Sequence, residues 1–276
     1  MSTLVPDTTV DTGSCVTGAE FLFFGCDVKF LLMFRLLRIV AHVLLGMAIC
    51  ATVFPWVGSA RRNGHIARWS RRLLAMCNVT VSAAPGSTAP LAHAMVVANH
   101  VSWLDIFVIN AIAPCRFVAK AEIRAWPLGG WLAEKAGTVF IARGNRRDLR
   151  HIFKGLVHSL QQGERVAFFP EGTTSSQGTL LPFHANLFEA AIDAKVRVQP
   201  FALRYVDDGG KRHGAVDFIG DMTLAQSMVA ILTGPPIHAH VHSLPALDAS
   251  GAHRRELAQA AQDAVAGALG VTAAAH

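Results

Sequence analysis

The stretch Ala94-Met95-Val96-Val97-Ala98-Asn99-His100-Val101-Ser102-Trp103-Leu104-Asp105-Ile106-Phe107-Val108-Ile109 reads as strand, turn and helix start. Ala94 to Ala98 form a short continuous apolar run, as a buried strand does. A second apolar run resumes at Ile106. Between the runs, His100 and Asp105 stand five residues apart. A histidine just past a strand end, with a carboxylate one short turn away, makes a general-base pair. The carboxylate fixes the imidazole's tautomer and stabilises its protonated form. A competing reading is structural. Ser102-x-x-Asp105 ahead of apolar residues is also a capping-box pattern, which requires only a helix start. The fragment alone leaves both readings open.

Outward from this unit, apolar runs alternate between short and periodic. Candidate strands are 77–82, 93–98, 115–119, 138–142, 165–169, 196–204 and 236–242, with candidate helices near 103–112, 128–135, 149–161, 183–193 and 222–233. From Asp148 to Gln162, Ile152, Phe153, Leu156, Val157 and Leu160 share one helix face, Asp148 can cap it and Gly163 ends it. The alternation predicts an α/β fold, a mostly parallel sheet of about seven strands covered by helices on both faces. Active sites of such folds gather at the carboxyl ends of strands, and His100 and Glu171 both fall just past such ends. No internal repeat is present.

A second run raises the weight of the chemical reading. Arg165-Val166-Ala167-Phe168-Phe169 reads as another buried strand, and it ends in Pro170-Glu171-Gly172-Thr173-Thr174-Ser175. Glycine and small hydroxyl residues after a strand make a loop that an anionic ligand can approach closely. Alone, Pro-Glu-Gly is usually a turn. Two strand ends of these kinds, about seventy residues apart, form a specific combination.

Here the chain resembles the membrane glycerolipid (lysophospholipid) acyltransferases, of the 1-acyl-sn-glycerol-3-phosphate acyltransferase type. Their four blocks occur in order: Asn99 to Asp105, Gly137-Thr138-Val139-Phe140-Ile141-Ala142-Arg143, Phe169-Pro170-Glu171-Gly172-Thr173, and the weaker Val198-Gln199-Pro200-Phe201. The family's lysine is present in Phe117-Val118-Ala119-Lys120. The likeness covers roughly residues 75 to 245. It implies direct transfer of a fatty acyl group from acyl-CoA or acyl-ACP to the free hydroxyl of a lysolipid, without a covalent intermediate. His100 would be the base and Asp105 its partner. Glu171, Gly172 and Thr173 would bind the acceptor's glycerol and headgroup region, while Lys120 and Arg143 would supply cations for a phosphate. For Arg146 and Arg147 a solvated face is the better reading. Ser102 lacks the Gly-x-Ser-x-Gly elbow of a nucleophile and reads as a cap.

Two departures concern the acceptor. Thr174 stands where many relatives with a phosphate-bearing acceptor have arginine, and His184 and Asn186 stand where lysine and glycine are common. A threonine hydroxyl cannot replace the bidentate, charged grip of arginine on phosphate. The family's commonest activity acylates 1-acyl-sn-glycerol-3-phosphate to give phosphatidic acid, which is the first expectation. Thr174 makes a lyso-ornithine lipid the alternative. A rival of another class is a non-catalytic membrane lipid-binding protein, against which the intact His100 and Asp105 argue.

Composition fits a membrane enzyme. Hydrophobic residues are 52% and charged residues 16% of the 276, and mean hydropathy is +0.36, an excess that must be deeply buried or meet a membrane. The net charge of +6 suits an anionic membrane surface. With one tyrosine and no arginine run interleaved with aromatics, no nucleic-acid partner is expected. The cysteines, five and scattered, fit neither a disulfide framework nor a zinc site and suit a reducing compartment. The histidines are dispersed and His100 and Asp105 lack a third ligand at fixed spacing, so neither metal nor other cofactor is expected.

Four regions are expected: a disordered tail (1–20), an apolar basic membrane-associating helical segment (21–72), the catalytic domain (73–245) and an Ala-rich C-terminal helix (246–276). The window Ile39 to Gly58 is long enough to cross a bilayer and lies too far along the chain for a cleaved leader. Arg61, Arg62, Arg68, Arg71 and Arg72 follow it, placing the rest of the chain on the cytoplasmic face of the inner (plasma) membrane. A helix lying in the interface is the rival arrangement; the family resemblance slightly favours shallow insertion of a helix pair, and both arrangements stay open.

Overall fold

A computed structural model describes residues 19–125, 129–141 and 146–272. Seven strands form one sheet in the order β1-β7-β6-β2-β5-β3-β4. They are β1 (Val79–Ala83), β2 (Met95–Ala98), β3 (Arg116–Lys120), β4 (Val139–Ile141), β5 (Val166–Phe168), β6 (Val198–Val206) and β7 (Ile237–Ser243). Each lies on an expected run, with ends displaced by at most two residues. Every neighbouring pair is parallel except β6 with β7. The helices are α1 (Ala19–Thr52), α2 (Ser59–Met76), α3 (Asp105–Ile112), α4 (Gly129–Lys135), α5 (Arg146–Gln161), α6 (Glu189–Ala194), α7 (Leu224–Thr233) and α8 (Arg254–Leu269).

The sheet is apolar on both faces, and β2 shows why. Its side chains alternate between the faces, yet all four residues are buried. Val96 and Ala98 join a cluster with Leu74, Leu104, Val108, Phe201 and Ile231, which seats α2, α3 and α7. Met95 and Val97 join Leu156, Ala190, Leu257 and Val265, which seat α5, α6 and α8. Burying one such valine contributes about 1.5–3 kcal/mol. In β7, by contrast, buried residues alternate with half-exposed His238, His240 and His242.

Two segments depart from expectation in detail. The helix expected near 183–193 starts late, with a 3-10 turn at Ala185–Phe188 before α6. Its first residues are tied in extended form. The Phe183 N–H donates to Gln262 Oε1 at 2.9 Å, and the His184 N–H donates to the Pro170 carbonyl at 2.9 Å. The Ala-rich tail, in which the sequence shows no chemistry, forms α8 and is core. Leu257, Ala258, Ala261 and Val265 are buried, the small alanines among them letting the helix lie close to the sheet.

The N-terminal helices are built onto the domain. Leu32, Leu36 and Val43 pack against the first cluster and Ile39 is buried in it. Arg35 donates from Nη1 to the Leu232 carbonyl. That carbonyl lies in the last turn of α7, where backbone acceptors lack helical partners and a cation meets the negative end of the helix dipole. Farther on, His42 and Trp69 clasp α1 to α2. His42 Nε2 lies 3.0 Å from the Trp69 carbonyl, Trp69 Nε1 donates to the His42 carbonyl at 3.0 Å, and the rings stack at 4.8 Å. The opposite side of α1 is bare. Phe30, Met33, Phe34, Leu37, Val40 and Leu44 are each half or more exposed, at the spacing of one helix face.

Candidate active site

Topology brings the two strand-end motifs together. β2 and β5 are neighbours, with Val97 opposite Phe168, so the loops that follow them meet at the carboxyl edge. His100 and Glu171, distant in sequence, are therefore adjacent: the His100 N–H donates to Glu171 Oε1 at 2.6 Å. The Ser175 N–H in turn donates to the His100 carbonyl at 2.8 Å. Both main-chain polar groups of His100 are thus fixed by the loop after β5.

The ring of His100 is fixed separately. Its Nδ1 lies 2.8 Å from Asp105 Oδ2, and its face stacks on Phe169 at 3.9 Å between centroids, 7° from parallel. Phe169 stacks in turn on Phe117. The His100 side chain is 20% exposed, while that of Asp105 is wholly buried. Among the described residues Nε2 of His100 has no partner, so this nitrogen is the one available to a substrate.

The two readings of the Asp105 pattern prove compatible. Oδ2 also accepts from the Val101 N–H at 2.7 Å and the Ser102 N–H at 2.9 Å, which is the reach-back half of a capping box. Ser102 Oγ accepts from the Leu104 N–H at 3.3 Å. One carboxylate closes the turn that begins α3 and orients the imidazole. Ser102 is fully buried.

Glu171 is buried at 3% exposure, and its other oxygen accepts from Ser175 Oγ and the Leu181 N–H, each at 2.9 Å. Burial raises its carboxyl above the usual range, against the lowering effect of the Leu181 and His100 N–H groups and the Ser175 hydroxyl. The expectation that Glu171 binds the acceptor thus meets a carboxylate already engaged with three protein donors. Gly172 follows at φ +69°, and a Cβ there would stand 3.4 Å from His184 Cδ2. Thr173 is exposed. Thr174 donates its hydroxyl to the Phe218 carbonyl. Lys120 is exposed at the carboxyl end of β3. Arg143 lies outside the described residues, as does the Asp148 side chain.

Two further residues belong to the constellation and were not foreseen. Tyr205 is fully buried, and its hydroxyl donates to Asp105 Oδ1 at 2.5 Å. Asn99 locks the loop to β6, accepting from the Leu203 N–H at 2.7 Å and donating to the Leu203 carbonyl at 3.1 Å. The signal for Tyr205 was its being the only tyrosine, placed on the face shared by Phe201 and Leu203. Cys77 and Cys115 are unsuited to nucleophilic work, since burial pushes both thiols up to about 12. Among the described residues no group of three or more His, Cys, Asp or Glu is placed to hold a metal ion.

A family model described as Acyltransferase matches residues 85–204, a span that contains His100, Asp105 and the loop after β5. A lyso-ornithine lipid O-acyltransferase of Pseudomonas aeruginosa is 41% identical over 249 residues, 88% of this chain and 95% of that protein. With these likenesses the chain belongs to the lysolipid acyltransferase family, whose members are lipid-biosynthetic enzymes. A 1-acyl-sn-glycerol-3-phosphate acyltransferase of Neisseria meningitidis serogroup B is 45% identical over 151 residues, 55% of this chain and 59% of that protein. The crystal structure of the 1-acyl-sn-glycerophosphate (LPA) acyltransferase PlsC from Thermotoga maritima has the same fold, with a TM-score of 0.60 over 86% of this chain and 96% of that one, at 22% identity.

Proposed function

We propose that His100 acts as the general base in transfer of a fatty acyl group from acyl-CoA or acyl-ACP to the free hydroxyl of a lysolipid. The observation that carries this reading is the His100–Asp105 pair, bonded at Nδ1 with Nε2 unpartnered. Nε2 takes the proton of the acceptor hydroxyl as its oxygen attacks the thioester carbonyl. The new C–O bond forms, the C–S bond breaks, and the thiolate leaves with that proton. Asp105 stabilises the imidazolium between these events. No covalent acyl-enzyme is needed, and a fully buried Ser102 with its oxygen bonded to the Leu104 N–H is poorly placed to make one.

For the acceptor, the loop after β5 favours a headgroup with less negative charge than a phosphate monoester. The Thr174 hydroxyl is engaged with the Phe218 carbonyl, and no Lys or Arg among the described residues bonds to 170–175. We therefore place a lyso-ornithine lipid first, in keeping with the Pseudomonas relative that matches along most of the chain. Lys120 and the Neisseria relative support 1-acyl-sn-glycerol-3-phosphate as the second reading. A side-by-side assay of both acceptors with one acyl donor separates them: preference for the lyso-ornithine lipid is expected, and preference for the phosphate acceptor would reverse the order. Thr174→Arg should raise the phosphate-to-ornithine activity ratio. An unmoved ratio would remove Thr174 from acceptor choice.

The working place of the enzyme is proposed to be the cytoplasmic face of the inner membrane. Phe30–Trp56 is long and apolar enough to cross a membrane. In its first half, however, Arg35 and Ile39 are engaged with the catalytic domain. This supports α1 lying shallowly in one leaflet, its bare apolar face among acyl chains and the exposed Arg61, Arg68, Arg71 and Arg72 of α2 near headgroups.

A further inference from the structure

We propose that Tyr205 is a positioning residue for the base, tuning His100 through Asp105; this rests on the reading of His100 as the base. Three independent features carry it. Asp105 is fully buried and each of its oxygens is engaged: Oδ2 by His100 Nδ1 and the Val101 and Ser102 N–H groups, Oδ1 by the Tyr205 hydroxyl. Tyr205 is fully buried, so its hydroxyl has no competing solvent. Its main chain is pinned as well, the N–H donating to Gln177 Oε1 at 2.8 Å and the carbonyl accepting from the His213 N–H at 3.1 Å.

The donated hydrogen bond draws charge from the carboxylate and limits how strongly Asp105 holds a proton on His100. Burial, with Asp105 beside it, keeps the phenol far above its ordinary titration range, so it remains a donor at working pH. The surroundings leave few competing charges. Glu171, from the loop after β5, touches His100 through the main-chain N–H. The buried ring of His213, from the turn after β6, has no hydrogen-bond partner. Asp105 is the sole ionisable residue of α3 and α7 has none, while Arg61, Arg68, Arg71 and Arg72 of α2 are exposed. No Lys or Arg among the described residues hydrogen-bonds to or ion-pairs with His100, Asp105 or Tyr205.

Two changes of opposite sign test this. Tyr205→Phe removes the donor. Because the chain has one tyrosine, replacing all tyrosine with 3-fluorotyrosine during expression alters Tyr205 alone and makes it a stronger donor. The readouts are kcat against pH, KM for the acceptor, and the His100 ring titration followed by NMR, assigned with His100→Ala. Tyr205→Phe should move the acid limb and the ring titration up by on the order of one pH unit. The accompanying loss of kcat is about tenfold well below the acid limb and recovers as pH rises, with KM unchanged. Fluorotyrosine should move both downward. A lower melting temperature with the acid limb and ring titration unmoved, or shifts of the same sign in both proteins, would overturn the proposal. The ring titration needs no turnover, so it answers for Tyr205 even if acyl transfer is not observed.

Discussion

Asp105 and Glu171 divide the work of holding His100: one fixes its ring and the other its main chain. Their roles predict different failures. Asp105→Asn leaves the buried site with an amide where His100 Nδ1, Val101 N–H and Ser102 N–H all need an acceptor, so it should lower kcat by about 10²–10⁴-fold and loosen the start of α3. Glu171 should act mainly on stability. Its carboxyl is raised by burial, so the folded state binds its proton more tightly than the unfolded one. Its contribution is fully present below the usual carboxylate value and is lost as pH rises through the raised one. Glu171→Gln removes that part of the slope and offers one acceptor oxygen to three donors, a cost of about 1–3 kcal/mol. Thermal unfolding of both proteins between about pH 4 and 8 checks this; an identical slope would contradict it. The His-x4-Asp pair was legible because its members are close in sequence and their types fit one chemistry. The engagement of Glu171 was not, because its partners at His100 and Leu181 are backbone groups, which leave no mark on residue identity.

At the scale of elements, strand positions were readable because runs buried on both faces are continuously apolar, as in β2 and β5. Strand order was not readable, and it decides the site. β6 lies beside β2 and is longer at its carboxyl end, pairing Phe201 with Ala98 and then running on to Val206. That overhang carries Tyr205 over the loop of Asp105, a contact between residues 100 apart in sequence. The packing of α1 was equally hidden, since hydropathy does not tell a face that meets lipid from one that meets protein. Gly46 shows how close that packing is: a Cβ there would stand 2.5 Å from Trp69 Nε1. Gly46→Leu should push Trp69 off His42 and destabilise the protein by about 1–3 kcal/mol through overpacking. Because Trp69 also packs on Phe107 of α3, activity should fall with it. Melting temperature and turnover in detergent micelles are the measurements, and an unchanged melting temperature would refute the clasp.

For the whole molecule, one apolar surface and one reactive edge belong to the same body. The bare face of α1 should hold the protein on membranes by apolar burial, which salt does not screen. Full-length protein should float with vesicles at moderate and at high salt; release at high salt would mean attachment by charge alone. Removing residues 1–72 takes Ile39, Leu32, Leu36, Val43 and Trp69 away from the first core cluster and leaves its Leu73 and Leu74 behind, so the remainder should aggregate rather than become a soluble enzyme. The central claim is that His100 is the base for acyl transfer to a lysolipid. The most direct measurement feeds purified, detergent-solubilised native protein and His100→Ala a labelled acyl donor with each acceptor lysolipid, and follows labelled diacyl product. Product should form with the native protein and fall by about 10²–10⁴-fold in the variant. Equal turnover by both proteins would contradict the account.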